Sequence, residues 1–358
     1  MVRGGAESLT PHPAGAVAAE AGATGAHPHG PMGSRTIDEP HRPGVVSTVV
    51  ELTKPGIVKM VLVAAAVGFV LGAIRAAPAA GGAGAAPFEM GAFVWTAVVT
   101  LLGTALAAGG ANALNMALEV WRDAQMERTA GRPIPSGRIA KSTATAIGLA
   151  LAASGAVVLA WGAGLGAALV VVATVLLYTL AYTPLKPVTT LSTIVGAAPG
   201  ALPPLVGWCA AATLATGSWW TGLVEPGGWA LFALMFVWQV PHVMAISWKY
   251  RDQYERGGYK VLPSVDPTGE RTGRAALAWS VALLPISLAP VLALPAGVLG
   301  LPYIVVALLA GGYFVKSAAD MYRTRTTAAA TKLFVVSIVY LPIVLFVMVG
   351  DALLTAFV

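Results

Sequence analysis

Apolar residues in this chain do not alternate with polar ones; they gather in long, nearly unbroken runs. Crossing a hydrocarbon layer of about 30 Å takes about 20 apolar residues in a helix. Nine runs reach that length, at 57–76, 92–120, 142–162, 165–184, 191–212, 228–248, 274–295, 297–316 and 333–355. Each predicts a membrane-spanning helix, because a helix satisfies its own backbone polar groups where no water can. Pro and Gly interrupt the divisions between the fourth and fifth runs and between the seventh and eighth. The expected fold is all-α, a polytopic membrane bundle of nine transmembrane helices occupying residues 46–358. Residues 1–45 are rich in Ala, Gly, Pro and His and contain no apolar segment. They predict a disordered tail, neither a signal peptide nor a first span.

Composition supports the membrane reading. The chain is 57% apolar and only 11% charged, where a soluble domain is about 25% charged. The single Cys209 lies in an apolar run, so there is no disulfide framework, and a lone cysteine there reads as packing.

Charge then sets the orientation. Lys and Arg collect on the cytoplasmic side of a membrane protein. With a cytoplasmic tail, the loops after spans two, four, six and eight also face the cytoplasm. All 22 basic residues except Arg75 then fall on that side, and moving one span would scramble the partition. The sequence therefore predicts a multi-pass protein of the cytoplasmic membrane with its N-terminus inside. The net charge of +6 reads as an insertion signal. Nucleic acid is not an expected partner, since that needs a basic face in water.

Three polar segments interrupt this plan. In the first, Asn115, Glu119 and Asp123 recur every four residues at the end of span two. On a helix they share one stripe, and a membrane helix carries such a stripe only for something it holds. Magnesium favours one or two carboxylates together with waters and substrate phosphates, which this set can supply. Glu127 continues the spacing, but by then the face has turned away. Arg128 and Arg132 follow, and a guanidinium fork suits phosphate oxygens.

The second segment runs from Trp238 to Tyr259. His242, the only histidine outside the tail, follows Pro241 inside span six, where proline breaks the helix ladder. Beyond it Lys249, Arg251 and Arg256 surround Asp252, an acid able to complete a metal and diphosphate site from across the bundle. In the third, Lys186 is the one charge between spans four and five, a turn after Tyr182. It is either an orientation signal or a point charge for phosphate.

These segments, 115–137, 182–208 and 238–263, resemble the UbiA-type intramembrane prenyltransferases, and the likeness covers about residues 48–355. The acidic spacing marks only the superfamily. The strings 197–208 and 238–242 are more specifically similar to its protoheme IX farnesyltransferase (heme O synthase) branch. That resemblance implies a UbiA-like fold and transfer of the farnesyl group of farnesyl diphosphate to the 2-vinyl group of heme B, with water addition, giving heme O for heme-copper oxidases. It implies Mg²⁺ on Asn115, Glu119, Asp123 and Asp252, and diphosphate on Arg128, Arg132, Lys186 and Lys249. His242 would face the heme as iron ligand or as propionate or vinyl neighbour, and Tyr182 and Trp238 would line the isoprenoid and heme pocket, with other Trp, Phe and Met of spans two, four and six. The lipid bilayer and a downstream heme A synthase are the implied partners.

The chain departs from that pattern at Gln253, commonly acidic, which leaves the second acidic element resting on Asp252. It departs also at Pro187, Ser192 and Gly131. Other readings share part of the pattern. An aromatic prenyltransferase acting on a quinone precursor would carry the same acidic stripe but not the 238–242 string. A transporter would show internal repeats and broken helices at mid-bilayer, and a non-catalytic heme-handling protein would tolerate loss of Asp123.

Overall fold

A computed structural model describes residues 44–76 and 89–357, with side chains through Thr355. The expected tail, with His12, His27, His29 and His41, lies outside the described residues apart from its last two positions. Val45 begins a short helix, Val45–Thr53, that buries Thr48 and Leu52 and exposes Val45, Val46 and Val50. Lys54 ends it in the left-handed conformation (φ 52°), which a non-glycine residue rarely adopts. Pro55 then starts span one, because its fixed φ and missing N–H suit a first helical turn.

Among the described residues nine helices are long and apolar enough to cross a membrane: Pro55–Ala76, Met90–Leu118, Lys141–Gly162, Leu165–Leu185, Ser192–Thr216, Pro226–Lys249, Glu270–Ala293, Leu301–Thr324 and Thr327–Thr355. Every one of the nine apolar runs falls on its own helix, and no strand occurs among the described residues. The eighth span begins at Leu301 rather than 297. Pro295 to Gly300 form the turn instead, with Gly297 at φ 89°.

Spans one and five pack in the middle. Spans two, three and four lie against them on one flank, and spans six to nine on the other. Small residues set the closest approaches, as expected where lipid offers no hydrophobic drive between helices. Spans two and three meet through Gly103 and Gly110 against Gly155 and Gly148. A Cβ on Gly155 would lie 2.5 Å from the Gly103 carbonyl oxygen, so only glycine fits. The basic residues of the even-numbered loops gather at one end of the bundle. At the other end Arg75 pairs with Glu225, which also accepts the Trp208 indole N–H at 2.8 Å.

Candidate active site

Asn115, Glu119 and Asp123 occupy the place where span two leaves its helix. The α-helix ends at Leu118, Glu119 bends (φ −95°, ψ 4°), and a single turn, Val120–Asp123, resumes the direction. The three side chains stay together and are 2%, 4% and 0% exposed. Buried carboxylates and amides need partners, and cations from three other segments supply them. Lys186 donates to Glu119 Oε1 at 2.8 Å, Arg132 donates to Asp123 Oδ2 at 2.7 Å, and Lys54 donates to Asn115 Oδ1 at 2.7 Å.

Local structure aims each of these groups. Span four closes with a π-helical segment, Leu177–Tyr182, a widening found often at functional sites. Thr183 donates to the Tyr178 carbonyl at 2.8 Å and accepts the Asn115 amide N–H at 3.0 Å. That places Lys186 over the Tyr182 ring, 5.2 Å from its centroid, and over the Tyr259 ring at 4.6 Å. Tyr259 arrives from the loop after span six, which is tied down where the Lys260 N–H meets the Lys186 carbonyl at 2.8 Å. Arg132 is turned back on Asp123 by the short helix Glu127–Ala130, whose Thr129 hydroxyl donates to the Asp123 carbonyl at 2.8 Å.

The cluster is strongly polarised. Burial pushes Lys54 down to about 7, and neighbouring Arg132 adds to this against the pull of Glu119. Burial works against the charge on Lys186 too, but Tyr182 and Glu119 hold it well above the ordinary lysine value. For Glu119 the burial cost is outweighed by Lys186, then Lys54 and Arg132, and its carboxyl lies below the ordinary range. Burial wins at Asp123, which is raised despite Arg132. Its Oδ1 is buried and has no hydrogen-bond partner.

Beneath the cluster lies a chamber of about 250 Å³. Ile57 and Val61, Ala107 and Ala111, Val171 and Val175, and Pro199 and Val206 make its wall. Tyr178, Tyr182 and Asn112 form its upper rim, and Asn112 also holds the Thr53 carbonyl at 3.0 Å. The lining is largely apolar, with Thr104, Thr174, Thr193 and Gln239 as its other polar residues. Small aliphatic side chains line it, not the Trp, Phe and Met expected from the sequence. The aromatics of span six stack instead along Trp229, Phe232, Phe236 and Trp279 of span seven.

The remaining site expectations divide. Tyr182, Lys186 and Arg132 converge with the acidic stripe. Arg128 and Lys249 are exposed and flank one ring, that of Tyr250, at 5.4 and 5.3 Å from its centroid. Asp252 is not brought to the stripe. Its side chain is 85% exposed and pairs with neighbouring Arg251 at 3.5 Å, because the helix Arg251–Arg256 buries none of its residues. Gln253 from the same turn instead accepts the Arg128 backbone N–H at 3.4 Å. Glu127 is exposed, off the stripe.

Trp238 and His242 lie outside the chamber wall. They sit one position before Gln239 and Val243, which do line it, and so face span nine. The His242 ring stacks on Trp238 at 4.9 Å and touches Phe334 at 5.2 Å, with Nδ1 2.7 Å from Ser337 Oγ. Ser337 spends its one hydroxyl proton on the Phe334 carbonyl at 2.6 Å, so its Oγ accepts from Nδ1–H. That leaves Nε2 with the free lone pair. Lys54 and Tyr259 are the members of the cluster that sequence reasoning did not assign to it. The one local signal for Lys54 was its place immediately before a proline, at the start of a span.

A buried set of carboxylates, lysines and an arginine over an apolar chamber, inside a nine-span bundle, defines an enzyme that handles a lipid-tailed anion within the membrane. The UbiA prenyltransferase family matches residues 70–341, and the chain belongs to that family. A protoheme IX farnesyltransferase of Solibacter usitatus is 41% identical over 252 residues, 70% of this chain and 82% of the relative. Another, of Sorangium cellulosum, is 43% identical over 244 residues, 68% of this chain and 82% of the relative. Among solved structures, a digeranylgeranylglyceryl phosphate synthase aligns with TM-score 0.64 at 17% identity, covering 86% of this chain and 98% of that one. A UbiA homolog from Archaeoglobus fulgidus bound to DMAPP and Mg²⁺ aligns with TM-score 0.53 at 13% identity, over 84% and 99% of the two chains. These two likenesses establish the fold.

Proposed function

We propose that this chain transfers the farnesyl group of farnesyl diphosphate to the 2-vinyl group of heme B, with addition of water, giving heme O. The observation that carries the reading is a buried polar cluster adjoining a largely apolar chamber through Tyr182, in a chain 41% and 43% identical over the matched residues to two protoheme IX farnesyltransferases. The chamber takes the isoprenoid, where each buried methylene contributes about 0.8 kcal/mol. The mouth takes the diphosphate, and Lys54, Lys186 and Arg132 are the cations that meet it. Charge-assisted hydrogen bonds of this kind contribute about 1.5–3 kcal/mol each.

Diphosphate leaves only when its charge is neutralised, so fixed cations aimed at its oxygens stabilise the departing group without reorganising. The donor set also fits Mg²⁺. Asp123 Oδ1 is buried without a partner, and Asn115 and Glu119 present hard oxygens beside it. Among the described residues no three His, Cys, Asp or Glu side chains converge, so waters and phosphate oxygens would have to complete the shell of the ion. When bound, Mg²⁺ would neutralise phosphate oxygens and so help the leaving group. Exposed Arg128 and Lys249 would collect the diphosphate at the rim. Asp252 is left without a role in this reading.

Heme B would approach along span six on the side toward span nine, where Trp238 and His242 sit next to the chamber-lining Gln239 and Val243. This end of the bundle would lie at the cytoplasmic face of the cell membrane, with the N-terminus inside, a reading supported by the basic loops gathered there. The product would pass to a heme-modifying enzyme of the same membrane, such as a heme A synthase. The test is incubation of detergent-solubilised protein with heme B, labelled farnesyl diphosphate and Mg²⁺. Labelled porphyrin is the expected product. No labelled porphyrin, with label instead on hydroxybenzoate, would replace this function by prenylation of a quinone precursor.

A further inference from the structure

Arg138 stands outside the buried cluster, yet it holds the backbone on both sides of one of its members. Its Nη2 donates to the Gly131 carbonyl at 2.7 Å, and its Nε to Ser136 Oγ at 3.0 Å. Ser136 in turn donates to the Arg132 carbonyl at 2.7 Å. The peptides before and after Arg132 are therefore both tied down, and Arg132 is the guanidinium that meets Asp123. The outer edge of Arg138 faces Glu51. Nη1 and Nη2 donate to its Oε2 and Oε1 at 2.6 and 2.9 Å, a bidentate pair. Glu51 lies one turn before Lys54 in the helix Val45–Thr53, and its carbonyl accepts the Lys54 N–H at 3.2 Å.

One side chain thus joins the segments that deliver Lys54 and Arg132. Both are cations that meet diphosphate in the proposed reaction, on which this step rests. Among the described residues no other hydrogen bond links the helix Val45–Thr53 to the loop after span two. Leu52 adds apolar packing, in a cluster with Ile134 of that loop and Met116 of span two. The tie matters most with substrate bound, when Lys54 and Arg132 would leave Asn115 and Asp123 for phosphate oxygens. Their bonds to the stripe then no longer fix their separation, whereas Arg138 and Glu51 touch none of the atoms that change partner.

We infer that Arg138, through Glu51, is a positioning residue that holds Lys54 and Arg132 together as one diphosphate clamp. The ion pair is too exposed, at 21% and 44% of the two side chains, to add much to stability. Its effect is geometric, and the geometry demands arginine. A lysine at position 138 keeps the charge but cannot serve a carboxylate, a carbonyl and a hydroxyl from one planar fork.

The experiment measures equilibrium binding of labelled farnesyl diphosphate with Mg²⁺, and of heme B separately, to the full-length protein in detergent. Arg138→Lys should weaken farnesyl diphosphate binding about tenfold, the worth of one charge-assisted hydrogen bond. Heme B binding and the melting temperature should stay as they are. Glu51→Gln should weaken farnesyl diphosphate binding about fivefold, for one weakened hydrogen bond. Charge alone predicts the opposite sign there, since removing a carboxylate from this end of the bundle reduces repulsion of the diphosphate. In a Lys54→Met background Glu51→Gln should have no further effect, because it acts through Lys54. Unchanged farnesyl diphosphate binding in Arg138→Lys overturns the assignment. So does a full additive effect of Glu51→Gln on Lys54→Met, or equal loss of both substrates, which marks a merely structural role. Absence of farnesylated porphyrin from the unaltered protein is a different result. It rejects the proposed reaction, while the binding ratios still decide the role of Arg138.

Discussion

Asp123 carries the most consequential atom in the cluster, an unpartnered carboxylate oxygen 0% exposed at the residue level. Replacing Asp123 with Ala should lower turnover about a thousandfold or more, since it removes an oxygen that would hold the Mg²⁺ neutralising the departing diphosphate. Folding should persist, and a thermal-unfolding curve beside the turnover assay checks both; ordinary turnover in this variant would remove Asp123 from the metal site. Lys54 makes a different prediction. Lys54→Met deletes one of three cations while keeping the stem, so KM for farnesyl diphosphate should rise about tenfold or more, with a smaller effect on heme binding. His242 is tested spectroscopically. Ser337 holds Nδ1–H and leaves Nε2 bare, the arrangement metal-ligating histidines commonly show. His242→Ala should shift the Soret band of bound heme B, and an unshifted band would exclude iron coordination. The stripe was legible in the sequence because its spacing matches the helix period. Lys54 was not, because its partner Asn115 is 61 positions away and only the packed bundle brings them together.

At the scale of elements, the apolar runs were readable because hydrocarbon thickness sets their length, and the structure moves their ends by at most eight residues. Two features lay beyond that reading. The helix Val45–Thr53 is too short to announce itself by period, and it is held by Thr48 and Leu52 packing inward. The π-helical segment Leu177–Tyr182 has no local sequence signature. It is favoured by a tertiary arrangement, with Thr183 bridging the Tyr178 carbonyl and the Asn115 amide. Its consequence can be measured. Inserting one alanine after Leu180, which is 70% exposed, would rotate all that follows by about 100°. Lys186 would then leave Glu119, and transfer activity should fall at least about a hundredfold with helix content by circular dichroism unchanged. Retained activity would show that the register of this segment does not aim the site.

For the molecule as a whole, the position of the chemistry follows from where charge can stay wet. The cluster, the exposed Arg128 and Lys249, and the loop carrying Tyr259 all lie at the end holding the basic loops. The opposite end is closed by Arg75, Glu225 and Trp208. The sequence exposed this asymmetry because loops carry the insertion signal regardless of packing. It could not show that the loops after spans two, four and six close on one point, since that depends on contacts such as Lys260 to Lys186. A diphosphate must therefore arrive from the basic side alone. With Cys209 replaced by Ser, the chain's single cysteine is gone, and Arg128→Cys or Ala296→Cys then reports one end each. A membrane-impermeant thiol reagent should label position 128 only in inverted vesicles and position 296 only in intact cells. Farnesyl diphosphate with Mg²⁺ should slow labelling at 128 and leave 296 untouched. Labelling of 128 from outside the cell would invert the topology and move the active site to the other face of the membrane.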